Sequence, residues 1–167
     1  AAEHRDDVRP ISLYDQVNVD GAKNICAVAE QKGINKIIFT SSVAIYGLSN
    51  EVKDESSPIK PFNDYGRTKW EAEKIFTKWQ QKKPADRTLV IIRPTVIFGK
   101  NNRGNVYNLL KQINSGFFIP IGKCNNIKSL AYVKNVASFI HHESSRKSGL
   151  YIYNYADKPD LKLIDII

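Results

Sequence analysis

The chain has 167 residues, with 25 Lys and Arg against 17 Asp and Glu, a formal net charge of +8, and 42% hydrophobic residues. That is enough apolar material for one ordinary globular core and too little for two full-sized ones. Cys26 and Cys124 have neither a CxxC partner nor a Cys/His spacing, which excludes a disulfide framework and a zinc module and fits a reducing, cytoplasmic setting.

The chain contains no Met and opens on Ala1-Ala2-Glu3-His4, which predicts a piece of a longer gene product. The longest apolar run, residues 89–98, is broken by Arg93 and Pro94 and falls short of the roughly 20 residues of a membrane span, so no membrane partner is expected. The charge is uneven. Residues 1–60 are net acidic, whereas between Lys100 and Lys147 eight basic residues face one acid, Glu143. A nucleic-acid reader would interleave such charges with exposed aromatics or align them on one helix face. Here they are irregular and set among Gly and Asn, so no nucleic-acid partner is expected; a small phosphorylated ligand or a merely solvated basic face remains.

Residues 14–32 carry Val17, Ile25, Val28 and Ala29 among polar positions, end at Gly33, and predict an amphipathic helix. Lys36-Ile37-Ile38-Phe39-Thr40 predicts a short buried strand, followed by a loop over 47–63 with Pro58 and Pro61. A second helix is expected over 64–82, with Asn63 or Asp64 as N-cap and Ile75, Phe76 and Trp79 at core spacing. Thr88-Leu89-Val90-Ile91-Ile92 has the continuous apolar character of a parallel strand covered on both faces. Helix, strand, helix, strand is the α/β pattern of a doubly wound sheet. Beyond Gly99 short helices are expected near 105–114 and 133–142, then a Tyr-rich strand at 150–155. The expected division is a partial dinucleotide-binding domain over 1–99 and a partial, smaller α/β lobe over 100–167. The GxGxxG turn that should open such a sheet is absent from the 167 residues and is expected upstream of Ala1.

Asp64-Tyr65-Gly66-Arg67-Thr68-Lys69 puts Tyr65 and Lys69 one turn apart on one helix face. An ammonium beside a phenol favours the phenolate, which can then act as a general base on an alcohol. The spacing alone is weak, since Tyr107 and Lys111 repeat it. Context separates the two: only Tyr65 follows a strand ending in the hydroxyl run Thr40-Ser41-Ser42, where an open α/β sheet binds ligands.

Taken together, these residues resemble the extended short-chain dehydrogenase/reductases, and among them the nucleotide-sugar epimerases of the UDP-glucose 4-epimerase type. Ala1-Ala2 looks like the end of that family's fourth strand, beside the cofactor. Asn18-Val19-Asp20-Gly21 is similar to its N-V-x-G signature, and Phe39-Thr40-Ser41-Ser42 with Ile45-Tyr46-Gly47 to its serine strand. Tyr65 and Lys69 match its catalytic pair, and Arg93-Pro94-Thr95-Val96-Ile97-Phe98-Gly99 the segment bordering the nicotinamide. Asn105 and Lys128 fall where the family meets the sugar diphosphate, Lys128 replacing an Arg and losing its bidentate fork.

The resemblance implies the C-terminal part of a Rossmann sheet, with Ser42, Tyr65 and Lys69 catalytic. Ala1, Ala2, Asn18, Ser41, Tyr65, Lys69 and Pro94 would meet NAD, NADP being undecided, and Ser42, Asn105 and Lys128 a nucleotide-diphosphate sugar. It also implies a homodimer through a bundle containing the Tyr–Lys helix, with Trp70 and Trp79 contributing. Related dehydratases place Asp-Glu after the strand-end hydroxyl; Val43 and Ala44 stand there here and cannot move a proton. Epimerisation at C4 of a UDP-hexose is the reaction that the resemblance implies. A nucleotide-sugar reductase and a non-catalytic binding module are the alternatives, and a steroid-type reductase is disfavoured by the basic second lobe. The 167 residues alone are expected neither to fold cooperatively nor to bind NAD.

Overall fold

The structure, a computed structural model, describes residues 2–4, 8–102, 104–116, 118–119 and 124–166. The chain forms two compact units, one of residues 1–93 and 143–154, the other of residues 94–142 and 155–167. The chain therefore passes into the second unit after Arg93, returns to the first for residues 143–154 and leaves it again, whereas composition suggests a single cut after Gly99.

In the first unit, α1 (Ser12–Tyr14) passes through a π-helical turn (Asp15–Asp20) into α2 (Gly21–Gln31). The buried positions along this helix are Tyr14, Asn18, Ala22 and Ala29, with Cys26 half-buried. Steps of four drift around an ordinary α-helix, and the wider π turn absorbs that drift so the stripe stays on one side. The expected stripe is corrected accordingly: Ile25 and Val28 are 51% and 50% exposed, and only Ala29 of the expected set is fully buried.

β1 (Lys36–Thr40) pairs in parallel with β2 (Thr88–Pro94), from Lys36 beside Thr88 to Thr40 beside Ile92. A short 3-10 turn (Val43–Tyr46) follows β1, and α3 (Asp64–Gln81) begins after the loop. β2 is the central strand of a three-stranded sheet whose third member is β5 (Gly149–Tyr155). All of β2 is buried, which its unbroken apolar run anticipates. β1, expected to be buried, is only half-buried because it lies at one edge of this sheet. Ala22, Ala72, Phe76, Leu89 and Ile91 form the core between the helices and one sheet face, with Phe39 against Phe76 at 4.7 Å between ring centres.

The second unit has β3 (Val96–Phe98), α4 (Asn105–Asn114), β4 (Ile127–Tyr132), α5 (Val133–Glu143), β6 (Asp157–Lys162) and α6 (Leu163–Ile166). β4 pairs in parallel with β3 and antiparallel with β6. These three strands lack the apolar alternation that would have marked them in advance. Asp157 accepts hydrogen bonds from the Tyr132 N–H at 2.6 Å and from Asn135 Nδ2 at 3.1 Å, fixing the junction of β4 and α5. Among the described residues no helix is long and apolar enough to cross a membrane, and no three His, Cys, Asp or Glu side chains group as metal ligands.

Candidate functional site

The carboxyl end of β1 runs straight into the hydroxyl pair. The Ser41 N–H donates to the Ile92 carbonyl at 2.7 Å, extending the ladder by one residue, and Ser42 then caps the 3-10 turn by accepting from the Ala44 N–H at 3.1 Å. Because Ser42 Oγ is the acceptor in that bond, its own O–H stays available as a donor. Ser41 Oγ is buried and has no hydrogen-bond partner among the described residues, an unsatisfied group at the strand end.

α3 starts on a true side-chain cap: Asn63 Oδ1 accepts from the Gly66 N–H at 2.8 Å. The choice left open between Asn63 and Asp64 is thereby decided. A Cβ on Gly66 would stand 2.5 Å from the Ala44 carbonyl oxygen, so glycine lets the first turn of α3 close onto the turn that Ser42 caps. This brings the segment carrying Tyr65, itself half-buried, against the segment carrying Ser42.

One turn on, Lys69 is buried. Its Nζ donates to the Thr40 carbonyl at 2.6 Å and lies 4.7 Å from the centre of the Phe39 ring. Burial pushes its pKa down to about 8, against the opposing pull of the Glu73 carboxylate. Asn18, on the π turn, is buried as well. Its Nδ2 donates to Thr68 Oγ1 at 3.0 Å and to the Glu3 carbonyl at 3.0 Å, while its Oδ1 accepts from the Glu3 N–H at 2.9 Å. It thus stitches the segment after Ala2 to α3. Arg67 adds a bidentate bridge from α3 to Asp15 of the same π turn at 2.9 and 2.7 Å, which holds the Asp15 carboxyl below its ordinary range.

Three residues to which the sequence reading gave no role, Arg93 and Tyr46 within the quoted motifs and Glu73 outside them, support this corner. Arg93 on β2 donates to both oxygens of Glu73 on α3, Nε at 3.0 Å and a terminal nitrogen at 2.7 Å, and also to the Tyr46 hydroxyl at 2.6 Å. The ion pair is almost wholly enclosed, 3% and 1% exposed. The signal was present in part: Glu73 lies one further turn along the Tyr65–Lys69 face, and Arg93 is a charge inside an apolar strand.

The first unit therefore brings together Ser41, Ser42, Asn18, Lys69 and the helix turn bearing Tyr65. A shallow cleft there is lined by Ala2, Asn18, Gly21, Phe39, Lys69 and Phe76. Ala1 lies outside the described residues. Pro94, Asn105 and Lys128 belong to the second unit: Pro94 is the buried last residue of β2, Asn105 is exposed at the start of α4, and Lys128 is exposed on β4 beside Leu161. Of the basic residues between 100 and 147, Arg103 and Lys123 lie outside the described residues.

The NAD dependent epimerase/dehydratase family matches residues 1–154. The chain belongs to that family. Over its whole length it is 54% identical to an N-acetyl-alpha-D-glucosaminyl-diphospho-ditrans,octacis-undecaprenol 4-epimerase of Escherichia coli O157:H7, covering 51% of that protein. It is 32% identical over 139 residues, 80% of the chain, to a UDP-glucose 4-epimerase of Vibrio cholerae, covering 42% of it. The chain thus spans about half the length, or less, of these curated relatives. Among solved structures, a UDP-glucuronic acid 4-epimerase from Bacillus cereus in complex with NAD superposes with a TM-score of 0.85 at 20% identity, over 100% of this chain and 55% of that one. The expected fold class, a parallel Rossmann-type α/β sheet, is that of these epimerase-family structures.

The family is NAD dependent, and the residues of the first unit fit that cofactor. The Lys69 ammonium spends one of its three N–H groups on Thr40 and has two left for hydroxyls, at the end of a parallel strand where such folds hold nucleotides. The unsatisfied Ser41 hydroxyl at the same strand end is a second polar group in want of a partner.

Proposed function

We propose that the protein acts as an NAD-dependent 4-epimerase of a hexose carried on a diphosphate, with Tyr65 as general base. The observation that carries this reading is 54% identity along the entire chain to a 4-epimerase of a polyprenyl-diphosphate sugar. On that basis the substrate is an N-acetylhexosamine on a polyprenyl diphosphate. A UDP-hexose, the substrate class expected from the sequence, is the second reading, favoured by the 32% identical UDP-glucose 4-epimerase. In either case the diphosphate would meet Asn105 and Lys128, and the basic residues around them supply the field it needs.

NAD, when bound, would supply a reversible two-electron hydride acceptor for the sugar carbon. Tyr65 removes the proton from the hydroxyl on that carbon and later gives it back. The Ser42 hydroxyl, its lone pair engaged by the Ala44 N–H, donates to the same sugar oxygen and orients it. Lys69 would hold the cofactor ribose hydroxyls and favour the phenolate form of Tyr65. Asn18 keeps the Tyr–Lys helix in place through Thr68. Val43 and Ala44, which follow Ser42, have no acid or base to expel water, which supports epimerisation over dehydration.

The 167 residues contain no Gly-rich pyrophosphate turn, so we propose that this polypeptide alone is inactive and that turnover belongs to a longer form. A homodimer through the helices of the first unit is also proposed, resting on the half-exposed Ile25 and Val28 of α2. Trp79 is not available for it, being 2% exposed and packed under Arg87 at 4.5 Å within its own chain. The test is Tyr65→Phe in the protein as its gene encodes it, assayed with N-acetylglucosaminyl-diphospho-undecaprenol and with UDP-N-acetylglucosamine. Loss of most turnover with cofactor binding retained supports the reading; near-normal turnover overturns it.

A further inference from the structure

The side chains proposed for catalysis sit on two elements separated in sequence, the turn that Ser42 caps and the first turns of α3. A single guanidinium touches both elements. Arg93 grips Glu73 through two parallel bonds at 3.0 and 2.7 Å, and a terminal nitrogen donates to the Tyr46 hydroxyl at 2.6 Å. The Tyr46 hydroxyl in turn donates to Asn154 Oδ1 at 2.8 Å, and the Asn154 N–H donates to Glu55 Oε1 at 2.6 Å.

Tyr65, Lys69 and Glu73 lie at i, i+4 and i+8, on successive turns of one face of α3. A bidentate Arg–carboxylate pair constrains direction as well as distance. Fixing Glu73 against β2 therefore fixes both the rotation of α3 and its height along the strand, and with them the Lys69 Nζ beside Thr40. Tyr46 is the last residue of the turn that begins immediately after Ser42, so the same guanidinium also fixes that turn.

We propose that Arg93 is a positioning residue that clamps the Ser42 turn and the Tyr65–Lys69 helix in register, acting through Tyr46 and Glu73 and touching neither substrate nor cofactor. This rests on the epimerase reading above. Stability alone is a poor account of the pair, because desolvating two charges offsets much of their attraction, and an apolar pair of similar volume is often as stable. What an apolar pair cannot supply is the directed fork.

The test uses the protein as its gene encodes it, with NAD and the two sugar diphosphates named above. Arg93→Lys keeps the charge and loses the fork. It should lower kcat about 10- to 100-fold, with KM for sugar and cofactor within about threefold, since a misplacement of about an ångström has that effect on chemistry. Amide exchange should quicken at residues 42–46 and 64–69 while β1 and β2 stay protected. The double variant Glu73→Met/Arg93→Met, an apolar pair, should regain thermal stability without regaining kcat. A folded Arg93→Lys with kcat within about twofold of wild type, or a double variant in which kcat returns with stability, overturns the clamp. If Arg93→Lys does not fold, Tyr46→Phe takes its place, with faster exchange at 42–46 and a lower kcat expected and no change in either overturning the proposal. If the wild type turns over neither substrate, the epimerase reading fails and the exchange data alone decide: no local increase at these residues overturns the clamp.

Discussion

Asn18 Nδ2 stands 3.0 Å from Thr68 Oγ1, a buried contact between residues fifty positions apart. It joins the π turn of the first helix to the residue just before Lys69 in the segment Asp64-Tyr65-Gly66-Arg67-Thr68-Lys69. Asn18 also satisfies both backbone groups of Glu3. Replacing it with Ala would strand those groups and remove the bond that Thr68 Oγ1 accepts, although the Thr68 hydroxyl still donates to the Asp64 carbonyl at 2.8 Å. The expected loss of stability for Asn18→Ala is about 1–3 kcal/mol, read from urea unfolding. Asn18→Asp, which cannot donate to Thr68 or to the Glu3 carbonyl, should not restore it.

Lys69 has a folded-state pKa of about 8, lowered from 10.5 by burial. Below pH 8 both folded and unfolded chains carry its proton, and the cost of burying the charge is present in full. Between about pH 8 and 10.5 the unfolded chain binds more protons than the folded one, so this group makes stability rise with pH. Relative to Lys69→Met, the wild type should gain up to about 3 kcal/mol across that window. Denaturation midpoints measured for both proteins from pH 7 to 10.5 check it; parallel curves would count against the burial of a charged Lys69. Turnover should move the opposite way, falling above pH 8 as the ammonium that favours the Tyr65 phenolate is lost.

Gly66→Ala introduces a Cβ 2.5 Å from the Ala44 carbonyl oxygen, a backbone atom, and the Cβ itself is fixed rigidly to the backbone of α3. The first turn of α3 must retreat, at a cost of about 1–3 kcal/mol. Because Tyr65 rides on that turn, kcat should drop by more than the fraction of unfolded protein accounts for. Thermal melting and steady-state kinetics on one preparation separate the two effects.

Cys26 is half-buried beside Glu30, and burial pushes its thiol up to about 11; Cys124 is buried. The thiolate is the reactive form. Native protein at pH 8 should therefore consume a thiol reagent far more slowly than protein in denaturant. Rapid labelling of Cys26 in the native state would show that its surroundings differ from those described.

What could be read from the sequence is what local chemistry encodes. The Asn63 cap, the Phe76 and Trp79 spacing and the unbroken apolar run of β2 each depend on a few adjacent residues, and each stands where expected. The exposure of Ile25 and Val28 could not be read, because the π turn over Asp15–Asp20 rotates the stripe, and nothing local announces it. β4 and β6 were hidden for another reason: Lys128, Lys158, Pro159 and Asp160 make poor strand signals, and it is pairing with each other that holds these segments extended. At the candidate site, the strand-end serines and the Tyr–Lys spacing were legible. The Arg93–Glu73 pair that supports them spans twenty residues and needed coordinates.

Residues 143–154 leave the second unit to lay β5 beside β2. A truncation ending at Arg93 would keep every side chain of the Ser42, Tyr65 and Lys69 corner yet strip the neighbour from one side of β2. That would leave an apolar, fully extended Leu-Val-Ile-Ile ribbon with open amides and carbonyls, a template for sticking to copies of itself. Dissecting the protein at its most obvious seam should therefore yield insoluble material, and the strand contributed from far along the chain serves the first unit as its guard against self-association.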